Sequence, residues 1–192
     1  MNFLFCRFYQ AKNDSMLNKD FAPFPILTTE RLTLRQLEIN DEQQIFKLRS
    51  DSEINKYLNR QIANTIDDAR NFINKITKSG SLYWAITLSD KNILIGTICL
   101  FGFSGENDTC EIGYELLTNF QGQGIMSEGL EKVIDYAFNT IKVQKIEAFF
   151  HRDNQNSIKL LEKFSFRNST EPDETNPDLI CYSLTNSIAS SK

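Results

Sequence analysis

The sequence predicts a single mixed α/β domain, and three observations support that prediction. Alternating apolar and polar residues mark two strands joined by a short turn, Leu82 to Leu88 and Ile93 to Phe103. A third strand, Thr109 to Leu117, leads into a glycine-containing turn, a long amphipathic helix and a further strand from Lys145 to Phe150. Hairpin strands followed by a strand–helix–strand crossover are typical of a mixed sheet with helices packed against it.

The elements that precede these strands follow from the same periodicities. Residues 31–37 alternate polar and apolar side chains, which predicts a half-buried strand, and Asn40 or Asp41 can cap the helix that follows. A second helix is expected to begin near Thr65 and to end at Gly80. Residues 1–25 show no stable period and end in a proline-rich segment, so we expect a flexible leader there.

After the crossover, one more helix and one more strand are predicted. Ile158, Leu161 and Phe164 fall on one face of a helix, and residues 179–184 alternate as a strand. No internal repeat or change of composition interrupts the chain. We therefore expect one domain over residues 26–186, followed by a short C-terminal tail.

The composition excludes several classes of protein. The 192 residues are 41% hydrophobic, and 21 basic against 25 acidic residues give a net charge of −4. That balance is globular and argues against a general nucleic-acid binder. The four cysteines form no CxxC pair, which argues against a zinc site, and Cys99 and Cys181 are expected to be buried in strands. No apolar run reaches transmembrane length, so we expect a cytoplasmic protein without membrane or nucleic-acid partners.

The turn after the third strand is a candidate anion site. Two glycines in Gln121-Gly122-Gln123-Gly124 let the backbone approach a ligand, and the first amides of the following helix have no helical acceptor. Ser127 can add a hydroxyl, whereas Glu128 must point away from a phosphate. The spacing fits neither a Walker loop nor a dinucleotide fingerprint. By itself, a tight turn without any ligand explains the two glycines equally well.

Several motifs, taken in order, resemble the GNAT acetyltransferase superfamily, and most closely its Rim-type branch, which acetylates N-terminal amines of ribosomal proteins. The resemblance covers roughly residues 27–185. Its motifs are Thr28-Thr29-Glu30-Arg31-Leu32-Thr33-Leu34-Arg35, Glu111-Ile112-Gly113-Tyr114-Glu115-Leu116, Gln121 through Glu128, Asn154-Gln155-Asn156-Ser157 and Leu161-Glu162-Lys163-Phe164. Two positions depart from the family: Met126 replaces a frequent Gly or Ala, and Ser165 replaces a usual Gly.

The resemblance implies a splayed, mixed sheet of six or seven strands, with acetyl-CoA between the fourth and fifth strands and no metal. It implies that the pantetheine pairs with the backbone of Leu116, Leu117 and Thr118, and that Asn154 approaches the cofactor arm. It also implies that the pyrophosphate lies on the amides of Gln121, Gly122, Gln123, Gly124, Ile125, Met126 and Ser127.

The resemblance also suggests an acid and a base. Glu111 matches the family's strand glutamate and is the first candidate for the base; Glu115 lies on the same face of the strand and is the second. Burial of one beside the other would raise its pKa, although both could instead be solvated. Leu161 occupies the position of the tyrosine common in the superfamily, and the resemblance to the Rim-type branch, which has a serine three residues after the asparagine, makes Ser157 the candidate proton donor. Alternatively, Ser157 supports Asn154 as a helix cap.

We expect direct transfer in a ternary complex, since no cysteine occupies a motif position. The branch implies a protein N-terminal α-amine as the acceptor. With a pKa of about 7.7–8.0 such an amine is partly neutral at pH 7, whereas a lysine near 10.4 is almost fully protonated. A small amine, such as a polyamine or an aminoglycoside, and a silent acyl-CoA-binding module are the alternatives. The sequence leaves open whether the protein is a monomer or a homodimer.

Overall fold

The computed structural model describes residues 21–58, 60–105, 108–169 and 176–186. The predicted C-terminal tail and most of the predicted leader therefore lie outside the described residues. The described strands form one eight-stranded sheet in the order β1–β2–β3–β4–β5–β6–β8–β7. Their bounds are β1 (Leu27–Thr28), β2 (Leu32–Gln36), β3 (Leu82–Leu88), β4 (Lys91–Ser104), β5 (Thr109–Leu116), β6 (Lys145–His151), β7 (Arg167–Asn168) and β8 (Leu179–Thr185).

Five α-helices accompany the sheet in the described part of the chain. They are α1 (Glu42–Ser50), α2 (Ser52–Asn55), α3 (Ile66–Ile76), α4 (Ile125–Asp135) and α5 (Gln155–Lys163). A π-helical turn, Tyr136–Ile141, continues α4, and a short 3-10 turn, Thr118–Phe120, follows β5. The predicted mixed α/β sheet is confirmed; it exceeds the expected six or seven strands because β1 and β7, of two residues each, complete its edges.

The helix starts show how local sequence sets the elements. Thr65 caps α3 as predicted: its hydroxyl accepts a hydrogen bond from the Asp68 amide at 3.2 Å, and the Asp68 carboxylate accepts one from the Thr65 amide. Asp41 precedes α1 as predicted, but its side chain does not cap that helix. The Asp41 carboxylate instead accepts two hydrogen bonds of 2.8 Å from Arg35, whose bidentate guanidinium is the stronger partner.

Two hydrophobic layers enclose the sheet. On one face, α4 and α5 pack on a core that includes the fully buried Trp84, Leu130 and Phe166. On the other face, α1 and α3 pack on a second core that includes Leu48 and Phe72. Cys99 and Cys181 are buried in strands, as expected. Among the described helices, none is both long enough and apolar enough to cross a membrane.

The feature that positions the site is the separation of β5 from β6. These two strands are parallel and keep register over three pairs, ending at Glu111 and Glu147. Beyond Glu111, β5 continues to Leu116 paired only with β4, while β6 continues to His151 paired only with β8. The sheet therefore opens between β5 and β6, and Glu111 stands at the apex of this opening.

Candidate active site

The edge of β5 that faces the opening presents backbone groups to it. The Leu117 amide donates to the Ile95 carbonyl of β4 at 2.9 Å, so by the alternation of the ladder the amide and carbonyl of Leu116 face the opening. The Leu116 carbonyl accepts a hydrogen bond from the Gln121 side chain at 3.0 Å. Thr118 begins the 3-10 turn that carries the chain from β5 to the glycine turn. Leu117, one of the three expected pantetheine partners, therefore uses its amide to pair with β4.

The glycine turn is a set of unused backbone donors at the start of α4. Gly122 and Gly124 adopt left-handed conformations, with φ of 74° and 76°. In the part of the chain that the structure describes, the backbone amides of residues 122–127 donate to no protein acceptor. The side chains of Ile125 and Met126 are buried in the core, so only their amides face the turn. A row of free amides at the positive end of a helix dipole suits a phosphate group.

A charged side chain in the first turn of α4 is held away from this site. The Glu128 carboxylate accepts hydrogen bonds from the Thr29 hydroxyl, the Arg31 amide and the Arg31 guanidinium. Burial raises the pKa of Glu128, but these three donors outweigh it, so its pKa is lowered and the side chain stays ionised. The expectation that Glu128 points away from the turn is confirmed.

Arg31 is a residue of this site that the sequence analysis did not single out. Its Nη1 donates to the Gln123 carbonyl at 3.2 Å, and its Nη2 lies 3.6 Å from where a Cβ on Gly124 would be. The guanidinium therefore contacts the turn, while its charge is balanced by the Glu128 carboxylate, whose Oε2 lies 2.6 Å from Nε of Arg31. The Thr-Glu-Arg-Leu motif was the available signal, but nothing local in it indicates a contact with a turn more than 90 residues away.

Glu111 occupies the apex on the face of the sheet covered by α1 and α3. Its side chain is half-buried, and its Oε1 lies 3.2 Å from the position that a Cβ on Gly102 would occupy. Gly102 has a φ of 59° in an irregular part of β4 and leaves room for the carboxylate. Any side chain at Gly102 would crowd Glu111.

Glu115 shares this face but is in a different chemical state. It is buried, and its Oε2 lies 2.6 Å from Nη2 of Arg60, while Thr97 donates to its Oε1 at 3.2 Å. Burial raises the pKa of Glu115, but the charges of Arg60 and Arg49 and the hydrogen bonds outweigh it, so the pKa is lowered. The expected raised pKa is therefore wrong for Glu115, because its neighbour is an arginine rather than Glu111. Glu111 remains the candidate base.

Ser157 and Asn154 lie at the start of α5, on the other side of the opening. The Asn154 side-chain oxygen accepts a hydrogen bond from the Ser157 amide at 3.2 Å and caps the helix. Asn154 is therefore confirmed as the cap of α5. Its side-chain amide nitrogen is the group that can still approach a ligand. Leu161 is fully buried in the core and takes no part.

Tyr114 of β5 is a second residue that the sequence analysis missed. Its hydroxyl is buried, and no group among the described residues meets both the distance and the angle of a hydrogen bond with it. The Ser157 side chain nevertheless lies close enough to influence the pKa of Tyr114. Burial raises the pKa of Tyr114 to about 12, although the Ser157 hydroxyl lowers it. The motif contained Tyr114, but alternation alone places it on the face opposite Glu111; only the fold shows that α5 brings Ser157 there.

The segment between α2 and α3 closes the site on the Glu111 face. Tyr57 stacks on His151, with 5.5 Å between ring centroids, at the end of β6. His151 Nδ1 accepts a hydrogen bond from the Asp153 amide at 3.2 Å, so this histidine caps the turn after β6. Arg60 joins the segment to β5 through Glu115. An arginine in a loop gives no sequence signal for such a contact.

The arrangement fits acetyl-CoA on three structural grounds: an opening lined by unpaired strand edge, a row of free amides at a helix start, and two left-handed glycines, of which Gly122 has open space above it. No side chain would meet a Cβ placed on Gly122 within 4 Å. Within the described residues, no group of His, Cys, Asp and Glu could hold a metal ion. Glu111 and Ser157 flank the opening from opposite faces of the sheet.

Comparisons with known proteins identify the family of this chain. The acetyltransferase (GNAT) domain family matches residues 31–167. The N-acetyltransferase p20 of Bacillus licheniformis, whose name gives no acceptor, is 37% identical over 145 residues, which cover 73% of this chain and 82% of that protein. The crystal structure of a GNAT-family acetyltransferase from Bacillus anthracis superposes with a TM-score of 0.75 and 28% identity, covering 84% of this chain and 98% of the other.

Two further relatives differ in the acceptor that their names give. YdaF of Bacillus subtilis (strain 168), named as a candidate ribosomal N-acetyltransferase, is 26% identical over 180 residues, covering 84% of this chain and 94% of that protein. A spermidine N(1)-acetyltransferase of Vibrio cholerae serotype O1 is 25% identical over 137 residues, covering 71% of this chain and 79% of that protein. The chain belongs to the GNAT acetyltransferase family and is an N-acetyltransferase.

Proposed function

We propose that the protein transfers the acetyl group of acetyl-CoA to the α-amine of a protein N-terminus, directly and within a ternary complex. The observation that carries this proposal is the pair of proton-carrying groups at the opening: Glu111 at its apex on one face of the sheet and Ser157 on the other. A base on one side and an acid on the other suit the two proton movements of amine acetylation.

In this proposal the backbone does most of the binding. The amides of residues 122–127 hold the pyrophosphate, Arg31 supports the turn through the Gln123 carbonyl, and Leu116 offers its strand edge to the pantetheine. Bound in this way, acetyl-CoA supplies the acetyl group as a thioester. The Asn154 side chain caps α5 and so orders the first turn that carries Ser157.

Glu111 takes up the proton that the acceptor amine loses, directly or through one water. Ser157 supplies a proton to the departing thiolate, and the buried Tyr114 hydroxyl lies beside Ser157 to support it. Glu115 has neither role, since Arg60 and Thr97 occupy its carboxylate. A single, half-buried carboxylate is a modest base, and it suffices for an α-amine with a pKa of about 7.7–8.0.

Two relatives point to different acceptors for the proposed reaction. YdaF supports an N-terminal acceptor as a relative, and the spermidine acetyltransferase keeps the small-amine alternative as the second candidate.

Mass spectrometry of a peptide that carries a free α-amine and one internal lysine tests the proposal. After incubation with the protein and acetyl-CoA, we expect an acetyl group on the α-amine and an unmodified lysine. Spermidine serves as the competing acceptor. An α-acetylated copy of the peptide, in which only the lysine amine is free, serves as the control. Acetylation confined to spermidine, or to the lysine, would overturn the proposed acceptor and leave the family assignment intact.

A further inference from the structure

Arg31 directly precedes β2 and contacts both the glycine turn and the first turn of α4. Its Nη1 donates to the Gln123 carbonyl at 3.2 Å, and its Nε donates to Oε2 of Glu128 at 2.6 Å. The Arg31 backbone amide donates to the other oxygen of the same carboxylate at 2.9 Å. The guanidinium therefore joins the Gln123 carbonyl to a carboxylate on the helix that follows the turn.

The residues on either side of this guanidinium are themselves anchored. The Arg31 carbonyl accepts a hydrogen bond from the Ser89 amide, just after β3, at 2.9 Å. The Thr29 hydroxyl donates to the same Oε1 of Glu128 that accepts the Arg31 amide. A charge-assisted bond between two anchored residues favours one orientation of the guanidinium.

The hydrogen bond to the Gln123 carbonyl also sets the direction of the next amide. The peptide between Gln123 and Gly124 is trans, so its C=O and N–H groups point in opposite directions. Because the carbonyl is turned toward Arg31, the Gly124 amide points away from Arg31, and it donates to no acceptor among the residues that the structure describes. If this peptide were rotated, the carbonyl oxygen would take the place of the amide and would repel a phosphate.

The glycine turn needs such a constraint because of its own sequence. Gly124 has a φ of 76°, and glycine adopts positive and negative φ about equally readily. A peptide next to glycine therefore meets little steric resistance to rotation. The Gln123 side chain donates to the Asn119 carbonyl at 2.9 Å, but that bond does not fix the main-chain carbonyl of Gln123. The hydrogen bond from Arg31 does.

We propose that Arg31 is a positioning residue for the cofactor: it fixes the peptide between Gln123 and Gly124 so that the Gly124 amide is directed at the pyrophosphate. This inference rests on the proposed function, which places the pyrophosphate on this turn. Glu128 contributes indirectly, because it holds Arg31. Since Glu128 also balances the charge of Arg31, the arginine acts through the geometry of the turn rather than through a net positive charge.

Glu128→Gln separates this role from simple electrostatics, because the two accounts predict changes of opposite sign. A carboxylate in the first turn of α4 repels a phosphate bound there, so electrostatics alone predicts that Glu128→Gln lowers the Kd for CoA. If Glu128 holds Arg31, the same variant frees the turn, and we expect the Kd for CoA to rise about threefold or more.

Glu131→Gln is the matched control for Glu128→Gln. Glu131 is exposed on the same helix, and in the described part of the chain it forms no hydrogen bond or ion pair with Arg31. The two variants remove the same charge, but only Glu128→Gln removes a partner of Arg31. We expect Glu131→Gln to bind CoA as the wild type does.

Arg31→Gln tests the link to the pyrophosphate by isothermal titration. The ligands are CoA, dephospho-CoA, which lacks only the ribose phosphate, and pantetheine, which lacks the pyrophosphate. We expect Arg31→Gln to raise the Kd for CoA and for dephospho-CoA by the same factor, about tenfold, and to leave the Kd for pantetheine unchanged. Arg31→Lys keeps the charge but not the planar fork that reaches both partners, so it should resemble Arg31→Gln. Arg31→Lys and Glu128→Gln keep the test decisive if Arg31→Gln does not fold.

An unchanged Kd for CoA in the Arg31 variants, or tighter CoA binding by Glu128→Gln, would overturn the positioning role. A loss for CoA but not for dephospho-CoA would make Arg31 a ligand of the ribose phosphate, and an equal loss for pantetheine would make it a structural residue only; either result also overturns the role. Wild-type protein that binds CoA no more tightly than pantetheine would contradict the proposed cofactor placement as well. The expected changes in Kd, without acetylation of a peptide N-terminus, would support the role and remove only the proposed acceptor.

Discussion

Arg60 and Glu115 form a buried ion pair, with 2.6 Å between Nη2 and Oε2, that ties the segment between α2 and α3 to the end of β5. Arg60 also donates to the Asn55 side-chain oxygen at 2.6 Å and to the Leu48 carbonyl. One guanidinium therefore fixes the wall of the acceptor side relative to the strand that borders the cofactor opening. The pair makes Glu115 a structural carboxylate, although the sequence analysis kept it as the second candidate for the base.

Removing one member of this pair should be costly. Glu115→Gln leaves Arg60 buried without its counter-charge, and we expect the free energy of unfolding at pH 7 to fall by about 3–5 kcal/mol. Urea denaturation measures this change. The double variant Arg60→Met, Glu115→Leu removes both charges and should recover most of the loss. A loss below about 1 kcal/mol for Glu115→Gln would contradict the assignment of a buried ion pair that stabilises the fold.

The same pair predicts a pH dependence of stability. Because the pKa of Glu115 is lower in the folded state, its contribution is fully present above the unfolded-state value of about 4.3 and is lost as the pH falls through the folded-state pKa. Wild-type stability should therefore decrease below about pH 5. The double variant Arg60→Met, Glu115→Leu should show a shallower decrease over the same range. Identical acid profiles would mean that Glu115 is not ionised in the folded protein.

Glu111→Gln tests the base. General base catalysis contributes about 10²–10⁴-fold, so kcat should fall at least 100-fold while the Kd for acetyl-CoA changes little. Steady-state kinetics and isothermal titration with CoA separate the two effects. Glu147→Gln is the matched control, because Glu147 is the register partner of Glu111 on β6 and forms an ion pair with Lys145. Comparable losses in kcat for both variants would point to a general charge effect rather than to a base.

The acid side of the opening gives a graded prediction. Ser157→Ala should lower kcat and leave acetyl-CoA binding nearly unchanged, whereas Tyr114→Phe should lower kcat by a smaller factor. Among the described residues, the buried Tyr114 hydroxyl has no well-aligned hydrogen-bond partner. Tyr114→Phe should therefore not lower the midpoint of thermal unfolding, Tm. Measurements of kcat and Tm for both variants check this order. Unchanged turnover in Ser157→Ala would exclude it as the proton donor.

Ser165 offers a test of backbone strain away from the site. It has a φ of 65° at the turn after α5, where the family usually has glycine. A left-handed conformation costs a non-glycine residue about 1–2 kcal/mol, so Ser165→Gly should raise the free energy of unfolding by about 1 kcal/mol. For a chain of this size that corresponds to a rise of about 2–4 °C in Tm. Ser165→Ala keeps the strain and should bring no rise.

Periodicity predicted the longer strands because large apolar residues recur at every second position, as Leu82, Trp84, Ile86 and Leu88 do in β3. β3 was predicted to its observed bounds, and the hairpins and the crossover were predicted in order. The two-residue strands β1 and β7 were not predicted, since two residues show no period. The side-chain partner of Asp41 was missed for a related reason: a residue that can cap a helix can also bind an arginine on a neighbouring strand.

The glycine turn could be predicted from local sequence, whereas the residues that long-range contacts bring to the candidate site could not. Gly122 and Gly124 signalled their turn through glycine alone. Arg31 and Arg60, by contrast, reach carboxylates 97 and 55 residues away, and no local pattern encodes such pairs. The state of Glu115 could not be predicted either, because its pKa depends on an arginine that only the fold brings to it.

The crystal structure of the protein with CoA tests the central claim most directly, because that claim places a cofactor in the opening between β5 and β6. We predict that the pyrophosphate accepts hydrogen bonds from amides within residues 122–127 and that the thiol lies between Glu111 and Ser157. We also predict that the pantetheine pairs with Leu116. CoA bound elsewhere, or bound with its thiol remote from both Glu111 and Ser157, would contradict the account.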